Sequence, residues 1–396
     1  MSPHVSKLAQ LIGASTVVSM RRRADALASA GVKIIDFGVG EPDFDVPEPI
    51  KEAAIKAIRD NQSHYVDPRG LPELRELIAH HETRQHSRLV NPNQIVVTPG
   101  TLGALSLVTR AVLNQGDEVL VIEPRWGPYR SLVTLTGATP VGVPMRTQAG
   151  RFEVDAERLA ASVTKRTKAI ILNTPWNPTG RVLSLTELTA VAELAKHHDL
   201  WVIADEVYSN MVFVGAEHIS IASLGDDIAE RTVITTSLSK SFAMTGWRLG
   251  YCVAPPELAT VLGRINHYST RCASSIAQHA AVTALSDGAL FVNEMCQEYQ
   301  RRRDVITVGL NQIAGVVCPI PEGTFYAFPQ IPEDWGDSEE VANYLLEESG
   351  VIVTPGSAYG AGSCNHLRLS FATSMAAIED GLIRLQNALP MHQNKC

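Results

Sequence analysis

Short β-branched runs alternate with longer helical segments between residues 94 and 250, and this alternation limits the possible folds more than any other feature. Five such runs are present: QIVVT (94–98), EVLVIEP (118–124), AIILNTP (169–175), LWVIADEVY (200–208) and RTVITTS (231–237). Near-continuous apolar runs of this length are typical of strands that helices cover on both faces. The pattern therefore predicts an α/β fold in which helices sandwich a mainly parallel, mixed sheet.

The segments between the runs carry helix signals. Ser184 precedes a periodic apolar segment over residues 184–199, and Glu187 follows it three residues later. This spacing is that of a capping box, in which two side chains satisfy free amides at a helix start. We expect such segments to be the crossover helices of the sheet.

The pattern changes beyond residue 285. A helical segment at 289–315 comes first. Three short strand-like pieces follow, at 325–330, 351–356 and 366–372, and a final helix covers residues of about 374–389. Residues 34–37 form a lone strand far from the main repeat. We predict a large domain over residues 46–284 and a smaller, discontinuous α+β domain built from residues 1–45 and 285–396.

Charge and composition exclude several classes of protein. The 396 residues include 34 Lys and Arg against 42 Asp and Glu, for a formal net charge of −8. This balance argues against a nucleic-acid-binding protein or one that binds anionic membranes. The basic runs Arg21–Arg23 and Arg301–Arg303 lie in helix-like stretches, so we expect solvated helix faces there. No window approaches the roughly 18 apolar residues of a membrane span.

The cysteines indicate a reducing compartment. They are Cys252, Cys272, Cys296, Cys318, Cys364 and Cys396, without a CxxC pair or regular spacing. This predicts free thiols rather than disulfides or a metal site. The N-terminal run is broken by Gly13 and is a poor signal peptide. We therefore expect a cytoplasmic protein.

Distinctive polar residues follow each predicted strand. In strand order they are Gly100–Ala104, Pro124–Trp126, Asn177, the pair Asp205 and Tyr208, and the segment Ser237–Lys240. Ligands of open parallel sheets bind beyond the carboxyl ends of the strands. The order of these residues predicts that one ligand contacts all of them.

The chemistry of these residues identifies the ligand. Small residues at a helix start leave amides open to a phosphate, and serines with Arg248 supply further donors. Asp205, at the end of an apolar strand, needs a cationic partner such as a protonated ring nitrogen. Trp126 offers a stacking face, and Asn177 and Tyr208 offer donors to an oxygen. With Lys240 as Schiff-base amine, the set predicts pyridoxal phosphate.

Over nearly its whole length the chain resembles the aspartate aminotransferase-like, class I/II family of pyridoxal-phosphate enzymes of fold type I. The motifs that carry the resemblance are GVGEPDFDVP (38–47), HYVDPRGLPELRELIA (64–79), TPGTLGALSL (98–107), NTPWNPTG (173–180), DEVY (205–208), SLSKSFAMTGWRLGY (237–251) and HLRLSFA (366–372). The resemblance implies an aminotransferase that moves an amino group from an L-amino acid to a 2-oxo acid, 2-oxoglutarate or pyruvate, by a ping-pong mechanism.

The resemblance also implies residue roles. Lys240 holds the cofactor as an internal aldimine and moves the proton between the substrate Cα and the cofactor, while Asp205 keeps the ring nitrogen protonated. The other cofactor contacts implied are, for the ring, Trp126, Asn177 and Tyr208 and, for the phosphate, Thr101, Leu102, Ser237, Ser239 and Arg248. Tyr65 resembles the tyrosine that reaches the phosphate of a neighbouring subunit, which implies a homodimer with shared active sites.

The substrate pocket is implied with less detail. Arg368 resembles the arginine that pairs with the substrate α-carboxylate, and the Gly40 backbone lines the pocket together with Asn177 and Trp126. Ser15 and Tyr326 are further candidate lining residues.

Specificity for the side chain stays open. Leu102 lies where close bacterial aspartate-type relatives carry a lysine that helps to hold a side-chain carboxylate. This difference argues against strict specificity for aspartate. Arg271 or His267 is a candidate for binding a distal carboxylate, and a surface or structural role is the alternative. The same cofactor site also runs elimination, as in a carbon–sulfur lyase, or decarboxylation or oxidation. A non-catalytic ligand sensor is a further alternative, although the stretch before Gly38 is too short for a winged helix.

Overall fold

The computed structural model describes residues 5–13, 16–86, 88–148 and 150–393. Its centre is a seven-stranded sheet of order β2-β10-β9-β8-β7-β3-β4. The strands are β2 (Ile95–Thr98), β3 (Glu118–Glu123), β4 (Thr139–Pro144), β7 (Thr167–Asn173), β8 (Trp201–Asp205), β9 (Thr232–Ser237) and β10 (Gly250–Val253). Only β10 runs antiparallel to its neighbours, so the predicted mixed, mainly parallel sheet is confirmed.

The five predicted runs form β2, β3, β7, β8 and β9, and the structure adds β4 and β10. The register pairs Asn173 with Asp205 and Asp205 with Thr235. The carboxyl ends of β7, β8 and β9 therefore lie at one edge of the sheet, where the sequence placed its polar residues.

Helices cover both faces of this sheet. The helices are α1 (Lys7–Gln10), α2 (Thr16–Ser29), α3 (Glu48–Arg59), α4 (Pro72–His86), α5 (Gly100–Val112), α6 (Pro128–Thr134), α7 (Ala156–Ala161), α8 (Leu185–His197), α9 (Asp226–Ala229), α10 (Leu238–Ser241), α11 (Pro256–Ser269), α12 (Ser275–Asp287), α13 (Ala289–Asn311), α14 (Ser338–Ser349) and α15 (Met375–Gln393). Apolar side chains of α7 and α8 pack on one face of the sheet, and those of α5 and α11 pack on the other.

The N-terminal strand pairs with the C-terminal part of the chain. β1 (Ile35–Asp36) runs parallel to β12 (Val351–Ile352). A second sheet contains β11 (Tyr326–Ala327), β14 (Leu367–Ser370) and β13 (Thr354–Pro355), and β5 (Arg146–Gln148) forms a hairpin with β6 (Arg151–Glu153). The pairing agrees with a smaller unit built from both ends of the chain, whose boundaries stay a prediction.

Two local predictions have opposite outcomes. The capping box of α8 is confirmed, because the Glu187 amide donates to Ser184 Oγ over 3.3 Å and Glu187 Oε2 accepts from the Ser184 amide over 3.0 Å.

The prediction of a solvated helix face at Arg301–Arg303 is wrong for Arg302. That side chain is buried and pairs with Asp43 at 2.7 Å and Glu298 at 2.9 Å, because α13 packs against the loop that contains Asp43.

Within the described residues, the helices are too short or too polar to cross a lipid bilayer. The five cysteines that lie in this part of the chain are free thiols, and Cys396 lies outside it.

Candidate active site

Lys240 lies in the short helix α10, directly after β9. Ser237 caps this helix by accepting the Ser239 amide over 3.3 Å. The Lys240 ammonium donates to the carbonyl oxygen of Gly40, and its Nζ lies 5.7 Å from the centroid of the Phe325 ring. The end of β9 therefore presents the amine to residues from both terminal parts of the chain.

The surroundings of Lys240 favour a neutral amine. Burial lowers its pKa to about 8, and the nearby cations Arg368 and Arg248 act in the same direction against Glu41 and Asp205. An amine with this pKa is partly unprotonated near neutral pH, which suits a nucleophile or a proton acceptor.

Asp205 ends β8 and is only 3% exposed. Tyr129 donates its hydroxyl to Asp205 Oδ2 over 2.7 Å, and the Val207 amide donates to Oδ1 over 3.3 Å. Burial raises the pKa of Asp205 to about 6. Tyr129 was not predicted, although its position three residues after Trp126 in EPRWGPY places both rings at the start of α6.

Asn177, Tyr208 and Tyr326 are buried close to Arg368. The hydroxyl oxygens of Tyr208 and Tyr326 lie 2.9 Å apart. The backbone amide of Asn177 donates to Asn173 Oδ1 over 2.9 Å. Burial is the main reason why the pKa of Tyr208 lies well above its usual value, so its hydroxyl keeps its proton and can donate a hydrogen bond.

Arg368 is buried on β14, with 4% of its surface exposed. It donates to the Gly38 carbonyl over 2.7 Å and to Asn177 Oδ1 over 3.3 Å, and its guanidinium carbon lies 4.4 Å from the Tyr326 ring centroid. In the described part of the chain no carboxylate pairs with it, and its Nε has no acceptor. Because a buried unpaired cation is costly, the site fits a carboxylate ligand.

Glycine is required at position 40. A Cβ atom there would lie 2.5 Å from the hydroxyl oxygen of Tyr326. The Gly40 backbone lies beside Lys240 and Tyr326, and its role in lining a substrate pocket stays a prediction.

The start of α5 forms an open cradle. A Cβ at Gly100, whose φ is +73°, would lie 2.6 Å from Arg248 Nη2, and a Cβ at Gly250 would lie 2.9 Å from the Thr101 amide nitrogen. The Thr101 hydroxyl oxygen is buried without a partner. Free amides, an orphaned hydroxyl and a guanidinium together fit a phosphate.

These features match the groups of pyridoxal phosphate one by one. The cradle fits its phosphate, Asp205 fits its ring nitrogen, and Asn177 with Tyr208 fits its phenolic oxygen. Trp126 is half-buried and meets Tyr129 edge-on, with centroids 5.4 Å apart. The exposed Leu102 contributes only backbone to the cradle.

The remaining candidates lie at the surface. Tyr65 is 78% exposed, and the Arg271 guanidinium carbon lies 5.0 Å from its ring centroid. Arg271 Nη1 contacts His267 Nε2 at 3.0 Å, and the ring of the 88%-exposed Tyr268 lies 4.9 Å from that of His267. We call these four residues the Tyr65 patch. Ser15 lies outside the described residues.

Comparisons with known proteins agree with this geometry. The chain is 39% identical over 380 residues to the probable aspartate/prephenate aminotransferase of Aquifex aeolicus, covering 95% of this chain and 96% of that protein. The crystal structure of the aspartate aminotransferase from Rhizobium meliloti superposes with a TM-score of 0.93 at 34% identity, covering 98% and 99% of the two chains. The Thermus thermophilus aspartate aminotransferase with maleate superposes with a TM-score of 0.92 at 35% identity, covering 98% and 100%.

The family model for aminotransferase class I and II matches residues 32–385. This match spans the sheet, the Lys240 segment and the Arg368 strand, and it confirms the resemblance inferred from the motifs. The chain belongs to the class I and II aminotransferase family.

Proposed function

We propose that this chain is a pyridoxal-phosphate-dependent aminotransferase that moves the amino group of an L-amino acid to a 2-oxo acid. The observation that carries the proposal is Arg368, a buried guanidinium without a carboxylate partner in the described chain, beside Asn177 and Tyr326. Amino acids and 2-oxo acids share the carboxylate that such a cation binds.

Class I and II aminotransferases are pyridoxal-phosphate enzymes, and the donor set of this chain fits that cofactor. When bound, the cofactor supplies an aldehyde for Schiff-base formation and an electron sink. Lys240 would hold it covalently and Asp205 would pair with its ring nitrogen. The residues that would hold its phosphate are Thr101, Leu102, Ser237, Ser239 and Arg248.

The protein residues act by binding, orientation and proton transfer. Arg368 binds the substrate carboxylate and thereby fixes the orientation of the Cα–H bond of the substrate. Lys240 Nζ would accept the Cα proton of the substrate, because a pKa of about 8 leaves part of the amine unprotonated near neutral pH. Tyr326 and Phe325, both buried, exclude water from the amine.

Dicarboxylic substrates have the best support. One relative is named an aspartate/prephenate aminotransferase, and one neighbouring structure carries maleate, which is a dicarboxylate. We therefore propose 2-oxoglutarate as acceptor. Arg271 or His267 from a neighbouring subunit is the candidate that binds the distal carboxylate, because Leu102 offers no charge.

A homodimer follows from the same proposal. The Tyr65 patch exposes two aromatic rings beside a guanidinium, a composition enriched at protein interfaces. In a dimer, Tyr65 would reach the phosphate of the neighbouring site. We also propose a cytoplasmic location, in keeping with the free thiols.

A donor-by-acceptor screen of the purified protein tests the proposal. We expect the visible band of the bound cofactor to bleach with an amino donor and to return with 2-oxoglutarate. Lys240→Ala should lower kcat by at least about 10³-fold, because it removes both the covalent link and the proton acceptor. Transamination by this variant at more than about a thousandth of the wild-type rate, or release of pyruvate and ammonia from a cysteine conjugate without bleaching, would contradict the proposal.

A further inference from the structure

A buried polar cluster lies behind Asp205. The next residue, Glu206, is 1% exposed, and its carboxylate meets side chains from two other parts of the chain. We call this group the Glu206 cluster; it contains Glu82 and His86 of α4, Glu206, His218, Ser220 and Tyr251 of β10. No residue of the cluster belongs to the set that fits the cofactor or the substrate.

Hydrogen bonds connect the members of the cluster. Ser220 donates to Glu206 Oε1 over 2.6 Å, and His218 Nε2 lies 3.1 Å from Glu206 Oε2. His86 Nε2 lies 2.6 Å from Glu82 Oε2 and 4.0 Å from Glu206 Oε2. His86 therefore stands between two buried carboxylates.

The cluster does not resemble a metal site. Among the described residues no group of three or more His, Cys, Asp and Glu side chains is arranged to hold a metal ion. Tyr251 instead donates to Glu82 Oε1 over 2.6 Å, which extends a network of direct hydrogen bonds. Nδ1 of His86 and Nδ1 of His218 are buried without a partner in the described structure.

The backbone couples this cluster to the active site. The Glu206 amide donates to the Thr235 carbonyl over 2.9 Å. The Asp205 carbonyl accepts from the Thr174 amide over 3.2 Å and from Asn173 Nδ2 over 2.8 Å. Because Asp205 and Glu206 are consecutive and tied to both neighbouring strands, the position of one constrains the other.

Charge couples them as well. Burial opposes a charge on His86, but the hydrogen bond with Glu82 and the negative charges of Glu206 and Glu82 outweigh burial and raise its pKa. Burial is the main cause of the raised pKa of Asp205, and the charge of Glu206 adds to it. A cation on His86 offsets the negative charge that Asp205 meets at Glu206.

Other titratable groups face these residues. Arg88 acts on His86, His81 acts on Glu82, and Tyr129 and Lys240 act on Asp205. Within the cluster, His218 faces Glu206 and Tyr251 faces Glu82. Substitutions at positions 82 and 86 leave all of these groups in the protein, so differences between the variants report on positions 82 and 86.

We propose that His86, which lies between the carboxylates of Glu82 and Glu206, is a positioning residue that sets the ionisation of Asp205. Through it, helix α4 controls how strongly Asp205 pairs with a protonated ring nitrogen. This inference rests on the proposed cofactor-dependent function. Asp205 remains the catalytic residue, and His86 acts through Glu206 on the far side of the strand.

A charge series on α4 tests the proposal. The variants are Glu82→Gln, His86→Gln and the double variant, with His80→Gln as matched control because His80 is an exposed histidine of the same helix. The measurement is the dissociation constant of pyridoxal phosphate from each apoprotein between about pH 5 and 8, which gives the acid-side midpoint of binding. Thermal melting of each variant checks that the fold is intact.

The expected shifts have opposite signs. His86→Gln removes a group that offsets the negative charges of Glu82 and Glu206, while His218 and Ser220 still contact Glu206 and Tyr251 still donates to Glu82. This loss raises the pKa of Asp205, so the midpoint moves up by about one pH unit and binding at pH 6 weakens about tenfold. Glu82→Gln removes one buried negative charge and moves the midpoint down. The double variant restores the charge balance, so its midpoint should return towards that of the wild type. If positions 82 and 86 mattered only for packing, the midpoint would not return.

Two different failures are distinguishable. If the wild type binds no pyridoxal phosphate, the proposed function fails. If the wild type binds it but the midpoints of all variants coincide with that of His80→Gln, or all move in one direction, only the role of His86 fails. If His86→Gln does not fold, Glu82→Gln and the double variant still decide the sign.

Discussion

At the scale of single residues, burial explains why ordinary side chains acquire catalytic properties. Lys240 and Asp205 carry opposite charges when ionised, and burial disfavours both charged forms. It lowers the pKa of Lys240 to about 8 and raises that of Asp205 to about 6. Between these values the amine and the carboxyl group are both close to changing their protonation state.

The pKa of Lys240 predicts how cofactor capture depends on pH. Only the neutral amine attacks an aldehyde, so the association rate of pyridoxal phosphate with the apoprotein should rise as pH rises through about 8. Between pH 7 and 9 we expect an increase of about tenfold, measured by stopped-flow absorbance. A rate that stays flat over this range would show that Lys240 is not the attacking group.

The surroundings of Arg368 predict a loss of substrate binding on substitution. Arg368→Lys keeps the charge but removes the planar fork that donates to Gly38 and Asn177. We expect kcat/KM to fall by about 10²- to 10³-fold, mainly through KM, while the visible spectrum of the bound cofactor stays unchanged. A matching loss of cofactor affinity would instead indicate a structural role.

At the scale of elements, side chains at strand ends and helix starts connect the parts of the chain. The Glu187 carboxylate accepts from the Ser184 amide, the Val154 amide and the Arg181 guanidinium. Burial opposes its ionisation, but the hydrogen bond from Arg181 and those from the two amides outweigh it and lower the pKa of Glu187. The start of α8 is thus tied to the loop before it and to β6.

This network predicts a large stability difference between two substitutions. Glu187→Ala leaves the buried Arg181 guanidinium with the carbonyl oxygens of Phe152 and Val182 and with the more distant carboxylate of Glu322, at 3.7 Å. It should lower the free energy of unfolding by about 3 kcal/mol. Ser184→Ala removes only the cap and should cost about 1 kcal/mol. Urea denaturation of both variants measures the difference.

The pH dependence of this effect has a definite sign. Because the folded-state pKa of Glu187 is lowered, its contribution is complete above the usual value of 4.5 and is lost as pH falls through the folded-state pKa. The gap between wild type and Glu187→Ala should therefore shrink in acid. Equal gaps at pH 7 and in acid would contradict the ion pair as its origin.

At the scale of the whole molecule, the Tyr65 patch is the part of the proposed site that one chain does not bury. Its two tyrosines are 78% and 88% exposed, in contrast to the buried tyrosines around Arg368. An exposed aromatic pair beside Arg271 is understandable if a second copy covers it.

A charge in this patch should therefore break the proposed homodimer. In a twofold interface the Tyr268→Asp substitution would occur twice, so we expect the dimer dissociation constant to rise at least about 30-fold, with weaker cofactor binding at low protein concentration. Sedimentation velocity measures the assembly. Leu290→Asp, at an apolar residue that is 68% exposed outside the patch, is the control; equal behaviour of both variants would exclude the patch as the interface.

The sequence by itself determined five strands of the main sheet, the capping box at Ser184 and the polar residues at the strand ends. These features depend on local periodicity and on the rule that carboxyl ends of parallel strands share an edge. Only the tertiary structure decided which side chains are partners. The bond from Tyr129 to Asp205, the unpaired state of Arg368 and the position of His86 between Glu82 and Glu206 depend on burial and on contacts between distant segments, which no local pattern encodes.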